Sequence, residues 1–83
     1  MPRLNCACAT NQGLAHAQFN LGMMYYLGDR VRQDYVQAYM WHNLAAAQGH
    51  DEAREYRDLT AALMTDQQLS EAQRLTREWS RGH

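Results

Sequence analysis

Histidine and cysteine are the residue types of this 83-residue chain best suited to metal binding or nucleophilic chemistry. The residues are His16, His42, His50, His83, Cys6 and Cys8. No histidine lies four positions from another histidine, a cysteine or a carboxylate in a known ligand motif, and a zinc site needs three or four converging ligands. We therefore expect surface histidines, reduced thiols, and no bound metal or other cofactor.

The chain also lacks the sequence motifs of known catalytic sites. It contains no G-x-S-x-G, no glycine-rich phosphate loop and no H-E-x-x-H. The formal net charge of −1, with 20% charged residues, gives no electrostatic reason to expect nucleic-acid binding. No apolar run reaches the ~20 residues of a membrane span, and the first ten residues lack the apolar core of a secretory signal. We expect a non-enzymatic cytoplasmic protein.

Apolar periodicity and cap residues predict four helices. They are expected at about residues 14–27, at 35–48, from about residue 51 onward, and at 66–80. Gly28 and Gly49 are expected to end the first two helices, because glycine adopts the left-handed conformation without a Cβ penalty. Asp34 is a candidate N-cap, and Thr65 with Gln68 has the spacing of a capping box.

Residues at helical spacing also predict which side of each helix is buried. These residues are Ala17, Leu21, Met24 and Tyr25 in the first helix; Ala38, Trp41 and Ala45 in the second; Ala53, Tyr56, Leu59 or Thr60, and Leu63 in the third; and Leu69, Ala72, Leu75 and Trp79 in the fourth. Gly22 costs about 0.5–1 kcal/mol relative to alanine within a helix. We expect a close approach of the second helix, at Ala45 and Ala46, to compensate.

The sequence contains an internal repeat. Gly13, Ala17 and Leu27 recur 36 positions later as glycine, alanine and leucine, and the offset falls to 34 between Ala38 and Ala72, where the loop shortens. Such a shift is typical of tandem helical hairpins. Residues 13–49 are therefore interpreted as a complete repeat and residues 50–83 as a divergent C-terminal capping hairpin. Residues 1–12 are interpreted as the remnant of a preceding repeat or a disordered N-terminus.

These residues make the chain similar to the Sel-one-like repeat proteins, relatives of the tetratricopeptide family. The matching positions are Ala17, Leu21, Gly22, Tyr25, Gly28, Val31, Asp34, Ala38, Trp41, Ala45, Ala46 and Gly49. Residues 49–79 resemble the terminal unit of bacterial members. The resemblance implies an all-α fold, in which tandem antiparallel helix hairpins stack into a tetratricopeptide-like superhelix or a fragment of one. It also implies a role as an adaptor for protein partners.

In tetratricopeptide-like hairpins, one face of the first helix of each unit lines a concave groove. Here that face carries His16, Phe19, Asn20, Met23 and Tyr26, with Glu52, Glu55 and Leu59 at the matching positions of the third helix. Such side chains are suited to binding a partner peptide or helix, which we expect to be an apolar segment flanked by basic residues. The alternative is that Phe19 and Met23 pack against a neighbouring repeat.

Different classes of function remain open at this point. The chain is a non-enzymatic adaptor that binds a protein partner through the groove, or it is a fragment of a longer array, or it self-associates through exposed repeat ends. The latter interpretations are considered because the chain falls short of the about three repeats that such arrays need for stability. A subunit that regulates an enzyme by binding it is a further interpretation.

Overall fold

The computed structural model describes residues 2–82, with side chains described from residue 13 onward, and folds into four helices in this range. They are α1 (Pro2–Leu27), α2 (Tyr35–Ala47), α3 (Asp51–Ala62) and α4 (Asp66–Gly82). No strand is found in the described range, so the predicted all-α class is confirmed. None of these helices is long and apolar enough to cross a membrane.

The start of α1 differs most from the prediction. The helix begins at Pro2, well before the expected start near residue 14. Proline suits this position, because the first turn of a helix leaves its N–H groups unpaired in any case. The interpretation of residues 1–12 as a repeat remnant stays a prediction. The side chains of Cys6 and Cys8 and the whole of His83 lie outside the described part of the chain.

Local capping interactions determine the other helix boundaries. Asp34 Oδ1 accepts hydrogen bonds at 3.0 and 3.2 Å from two backbone N–H groups in the first turn of α2. The Gln68 backbone N–H donates to Thr65 Oγ1 (3.1 Å), and the Thr65 N–H donates to Gln68 Oε1 (3.0 Å). Gly28 and Gly49 have φ of 73° and 92° and follow α1 and α2. These cap predictions are confirmed.

The central element of the fold is α2, because each of the other three helices packs along it. The helix α1 runs antiparallel to α2 through the connection at residues 28–34. The helix α4 runs parallel to α2: Val36 and Glu71 line one cavity near the start of both helices, and the rings of Trp41 and Trp79 lie 5.7 Å apart further along. The two C-terminal helices therefore both pack chiefly on α2 rather than on each other.

The core between α1, α2 and α3 combines small residues with a few rings. Its buried members are Ala15, Phe19, Ala45, Ala46 and Ala53, with Met23 and Tyr56 packed against them. Alanine lets the helix backbones approach closely, and the rings fill the remaining space. The core therefore depends on a small number of large side chains.

The predicted buried stripe of α1 is wrong at Ala17, which is exposed, while Leu21 is only half-buried. The buried positions are instead Ala15, Gln18, Phe19 and Gly22, which also have helical spacing. The side-chain amide of Gln48, the C-cap of α2, donates a hydrogen bond to Gln18 Oε1. This side is buried because α2 and α3 both approach α1 from it.

The sequence predicted that either Leu59 or Thr60 is buried on α3. In the structure Thr60 is buried, whereas Leu59 and Leu63 are 53% and 54% exposed. Thr60 follows Ala53 by two helical turns and so points to the same side. Its hydroxyl donates to the Tyr56 carbonyl at 2.6 Å, which satisfies the buried polar group. The prediction of a buried Leu63 is wrong, since this residue is the C-cap beyond the last residue of α3.

The His42 ring of α2 approaches the backbone of α1 closely at Gly22. A Cβ atom at Gly22 would lie 2.5 Å from Cδ2 and 2.7 Å from Nε2 of His42. The expected close approach at Gly22 therefore exists, but its partner is His42 rather than Ala45 or Ala46. His42 is fully buried, so the prediction of a surface histidine is wrong at this position.

We expect Gly22→Ala to lower the free energy of unfolding by about 1–3 kcal/mol, because the added methyl overpacks the contact with His42. The matched control is Gly13→Ala in the same helix, where a Cβ meets nothing within 4 Å. This control should raise stability by about 0.5–1 kcal/mol through helix propensity alone. Urea unfolding followed by circular dichroism measures both. A Gly22→Ala protein as stable as the Gly13→Ala protein would contradict the assignment.

Candidate partner-binding face

The predicted groove residues lie where α1 and α3 run side by side in the same direction. The His50 ring, just before α3, lies 5.8 Å from the ring of His16 and 4.6 Å from that of Phe19. Further along, the rings of Tyr26 and Tyr56 lie 5.7 Å apart. Because the helices are parallel here, their adjacent flanks form one surface. We call it the α1/α3 face; it comprises His16, Asn20, Met23, Tyr26 and Leu27 on α1 and Glu52, Glu55, Leu59 and Leu63 on or directly after α3.

Four of the predicted site residues are exposed on this face. They are His16 and Asn20 on α1 and Glu52 and Glu55 on α3. Met23 is partly buried against the core. The structure therefore places the predicted α1 and α3 residues on neighbouring flanks.

Phe19 lies in the core beneath the face, with 8% of its surface exposed. Its ring stacks on His50 and is tilted against Tyr56 at 5.8 Å. This is the packing alternative considered for Phe19 above. Tyr26 is half-buried, with its ring 6.0 Å from that of Tyr35. The Phe19 ring thus lies beneath the face, whereas Tyr26 is partly exposed on it.

The sequence did not predict Leu27 or Leu63 as residues of this face. It predicted Leu59 there, although Leu59 was also a candidate for the core. Leu27, Leu59 and Leu63 are 63%, 53% and 54% exposed. The available signal was the 36-residue repeat, which takes Met23 to Leu59 and Leu27 to Leu63. The face therefore contains more apolar surface than predicted.

Charge is distributed unevenly along the face. Glu52 and Glu55 lie in the first half of α3, whereas the leucines lie at its end. Among the described side chains, neither glutamate takes part in an ion pair. Arg54 follows Glu52 by two positions and so points about 200° away around the helix axis. The glutamate end of the face is therefore acidic.

His50 connects the face to the core. Its Nδ1 accepts a hydrogen bond from the Ala53 backbone N–H at 3.1 Å and so caps α3. A nitrogen that accepts in this way carries no hydrogen, so the proton of the neutral ring is on Nε2. On the other side of the stack, His16 is exposed. Within the described side chains, no three histidine, cysteine or acidic residues come together as a metal site.

His42 is the buried titratable group under this face. Its ring lies 5.6 Å from Phe19 and 5.8 Å from Tyr56, and neither ring nitrogen has a hydrogen-bond partner among the described groups. Burial lowers the pKa of His42 from 6.5 to about 4, and the electrostatic effect of the nearby His50 is the second cause. His42 therefore behaves as a neutral core ring at neutral pH.

Comparison with known proteins identifies one matching family. The family model described as Sel1 repeat matches residues 15–50, which include α2, the connections on either side of it and residues 15–27 of α1. Searches of curated proteins and of solved structures gave no significant match.

The lowered pKa of His42 predicts a loss of stability in mild acid. The unfolded chain takes up a proton at His42 near pH 6.5, whereas the folded chain does so only near pH 4. The contribution of neutral His42 to the free energy of unfolding is therefore complete above pH 6.5. It is lost as the pH falls towards 4, and the total loss is up to about 3 kcal/mol. Urea unfolding at pH 7.5, 5.5 and 4.5 measures the change.

The His42→Gln variant should show a weaker pH dependence of stability than the parent between pH 6.5 and 4. His16→Gln, which removes an exposed histidine, is the control and should keep the parental dependence. An unchanged pH dependence in the His42→Gln variant would show that His42 is not the group responsible.

Proposed function

Residues 15–50 are a Sel1 repeat, which makes the chain a Sel1-like repeat protein, and on that premise we propose that a protein partner binds at the α1/α3 face. Sel1 repeats are helical units of protein–protein interaction scaffolds. The chain is accordingly a helical-repeat interaction module. The finer proposal is that a peptide or helix of the partner lies along the face in a non-catalytic complex.

The observation that carries this proposal is the clustering of exposed apolar side chains on one face. Leu27, Leu59 and Leu63 are three of the four large apolar residues that are exposed in the described part of the chain. Exposed apolar patches rimmed by polar groups mark interaction sites. Asn20 and Glu55 supply such polar groups here.

The stack beneath the face also favours binding. Phe19, His50 and Tyr56 pack together, and the cap from His50 fixes the first turn of α3. A surface that is already ordered loses less conformational entropy when a partner binds. Apolar side chains on a helix-lined groove are the recognition mode of many helical ligands.

A second candidate function is supported by the opposite side of α1. Ala53 is completely buried against α2, whereas Ala17, its equivalent in the repeat, is exposed. In the second unit this position is covered by the preceding helix, and the same arrangement would cover Ala17 in a longer array. The alternative proposal is therefore that the chain acts as a segment of such an array or associates with itself through this end.

The α1/α3 face is tested by selecting peptides from a display library on the immobilised chain and measuring their affinity for variants. We expect Leu59→Ser to weaken binding by about fivefold to tenfold, because it removes an apolar contact at the face. The control is Leu14→Ser. Leu14 is 47% exposed and lines a separate cavity of about 550 Å³ with Leu44 and Trp79.

The control should bind the selected peptides like the parent. Affinity that depends on Leu14 but not on Leu59 would place the ligand in the cavity that Leu14 lines and would contradict the proposal. Circular dichroism checks that both variants fold. Because both substitutions are at exposed positions, they should change the free energy of unfolding by about 0.5 kcal/mol or less.

Light scattering over a range of concentrations tests the second candidate. Self-association through the Ala17 side predicts a rise in mass with concentration that is abolished by Ala17→Arg, because an exposed arginine disrupts an apolar contact. A monomer at every concentration, or an oligomer that the Ala17→Arg variant retains, would contradict association through this side.

A further inference from the structure

We infer that the segment bound at the α1/α3 face is a short amphipathic segment of a protein partner that carries its basic residues on one side of an apolar pair. This inference rests on the proposed function and adds the chemical character and the polarity of the ligand. It follows from the separation of apolar and acidic side chains along the face.

The exposed leucines of both helices lie at the same end of the face. The Tyr56 ring contacts Phe19 at 5.8 Å and Tyr26 at 5.7 Å, which sets the register of α3 against α1. Leu59 follows Tyr56 by about one helical turn, so it lies level with the last turn of α1, where Leu27 is found. We call the three exposed leucines at this end the leucine patch.

The acidic end lies about two helical turns earlier along α3. Glu52 and Glu55 are on the same flank as Leu59 and Leu63, within about 80° around the helix axis. The nearest arginines of α3 do not neutralise them: Arg54 points to the opposite side, and Arg57 pairs with the adjacent aspartate at 3.2 Å. A basic side chain of a ligand would meet unpaired carboxylates here.

The connection beyond the leucine patch has no such excess of charge. It contains Asp29, Arg30, Arg32 and Asp34, two acidic and two basic residues, and one of the carboxylates caps α2. The face therefore favours basic residues at its glutamate end and no charge at its leucine end. This adds a polarity to the sequence-based expectation of an apolar segment flanked by basic residues.

The spacing of the face defines the probe. Glu52 and Leu59 are seven residues apart on α3, which corresponds to about 10 Å along the helix. A helical peptide with two leucines four positions apart and two arginines about seven positions from them places both groups opposite their counterparts. Nucleic acid is a poor occupant, because its phosphates would lie against the glutamates.

Fluorescence anisotropy of three labelled peptides tests the inference with the intact chain. The first is the cationic peptide just described, the second has glutamates in place of its arginines, and the third has serines in place of its leucines. We expect the first peptide to bind at least tenfold more tightly than either of the others. Its affinity should also fall between 50 and 500 mM salt, since exposed charge pairs are screened.

Charge reversal on the chain provides the matching test. The double variant Glu52→Lys, Glu55→Lys should bind the cationic peptide at least tenfold more weakly and should gain affinity for the acidic peptide. Asp29→Lys is the control for charge reversal away from the acidic end, because Asp29 is exposed in the connection between α1 and α2. The affinity of this variant for the cationic peptide should stay within about threefold of the parental value, since salt screens charges that lie far from the ligand's arginines.

The outcomes separate the inference from the proposed function. Equal binding of cationic and acidic peptides, with loss of binding in Leu59→Ser, would overturn the basic ligand but leave the face as the site. Binding unaffected by Leu59→Ser would overturn both. Failure of all three peptides to bind, or light scattering that shows a dimer disrupted by Leu59→Ser, would also overturn the inference, since a second copy would then cover the leucines.

Discussion

The contact between the His42 ring and the backbone of α1 at Gly22 is the constraint on which the rest of the structure depends. The ring can approach α1 this closely only because position 22 has no Cβ. It thereby fixes the separation of α1 and α2, and its other side supports Phe19 and Tyr56. Neutrality of the ring is part of this arrangement, because a charged imidazole that is buried without a hydrogen-bond partner is costly.

The position of α3, and with it the α1/α3 face, follows from this core. The Phe19 ring of α1 stacks on His50, which caps α3, and the Tyr56 ring of α3 packs against Phe19. Aromatic contacts of this kind hold α3 beside α1 although the two helices share little direct packing. With α2 packed against the other three helices, the adjacent flanks of α1 and α3 remain exposed. The same side chains that stabilise the fold thus position the exposed leucines and glutamates.

The sequence was most informative where structure is determined locally. The Asp34 cap, the reciprocal bonds of Thr65 and Gln68 and the helix-ending glycines depend on neighbouring residues only, and each was predicted correctly. The buried side of α1 was not, because two stripes have helical spacing and the choice between them depends on where α3 packs. The burial of His42 has no local signal either, since its cause is a glycine on another helix. For the face, the repeat pairs positions of α1 with positions of α3, but only the three-dimensional packing distinguishes the buried Phe19 from the exposed Leu59.

We propose that a partner binds where α1 and α3 lie side by side. The most direct measurement is NMR chemical-shift mapping of the isotope-labelled chain during titration with the cationic amphipathic peptide. We expect the largest changes in backbone amide shifts at Asn20, Glu52, Leu59 and their neighbours, with little change around Leu14 and the outer side of α4. Changes concentrated around Leu14 and Trp79, with the α1/α3 face unaffected, would contradict it.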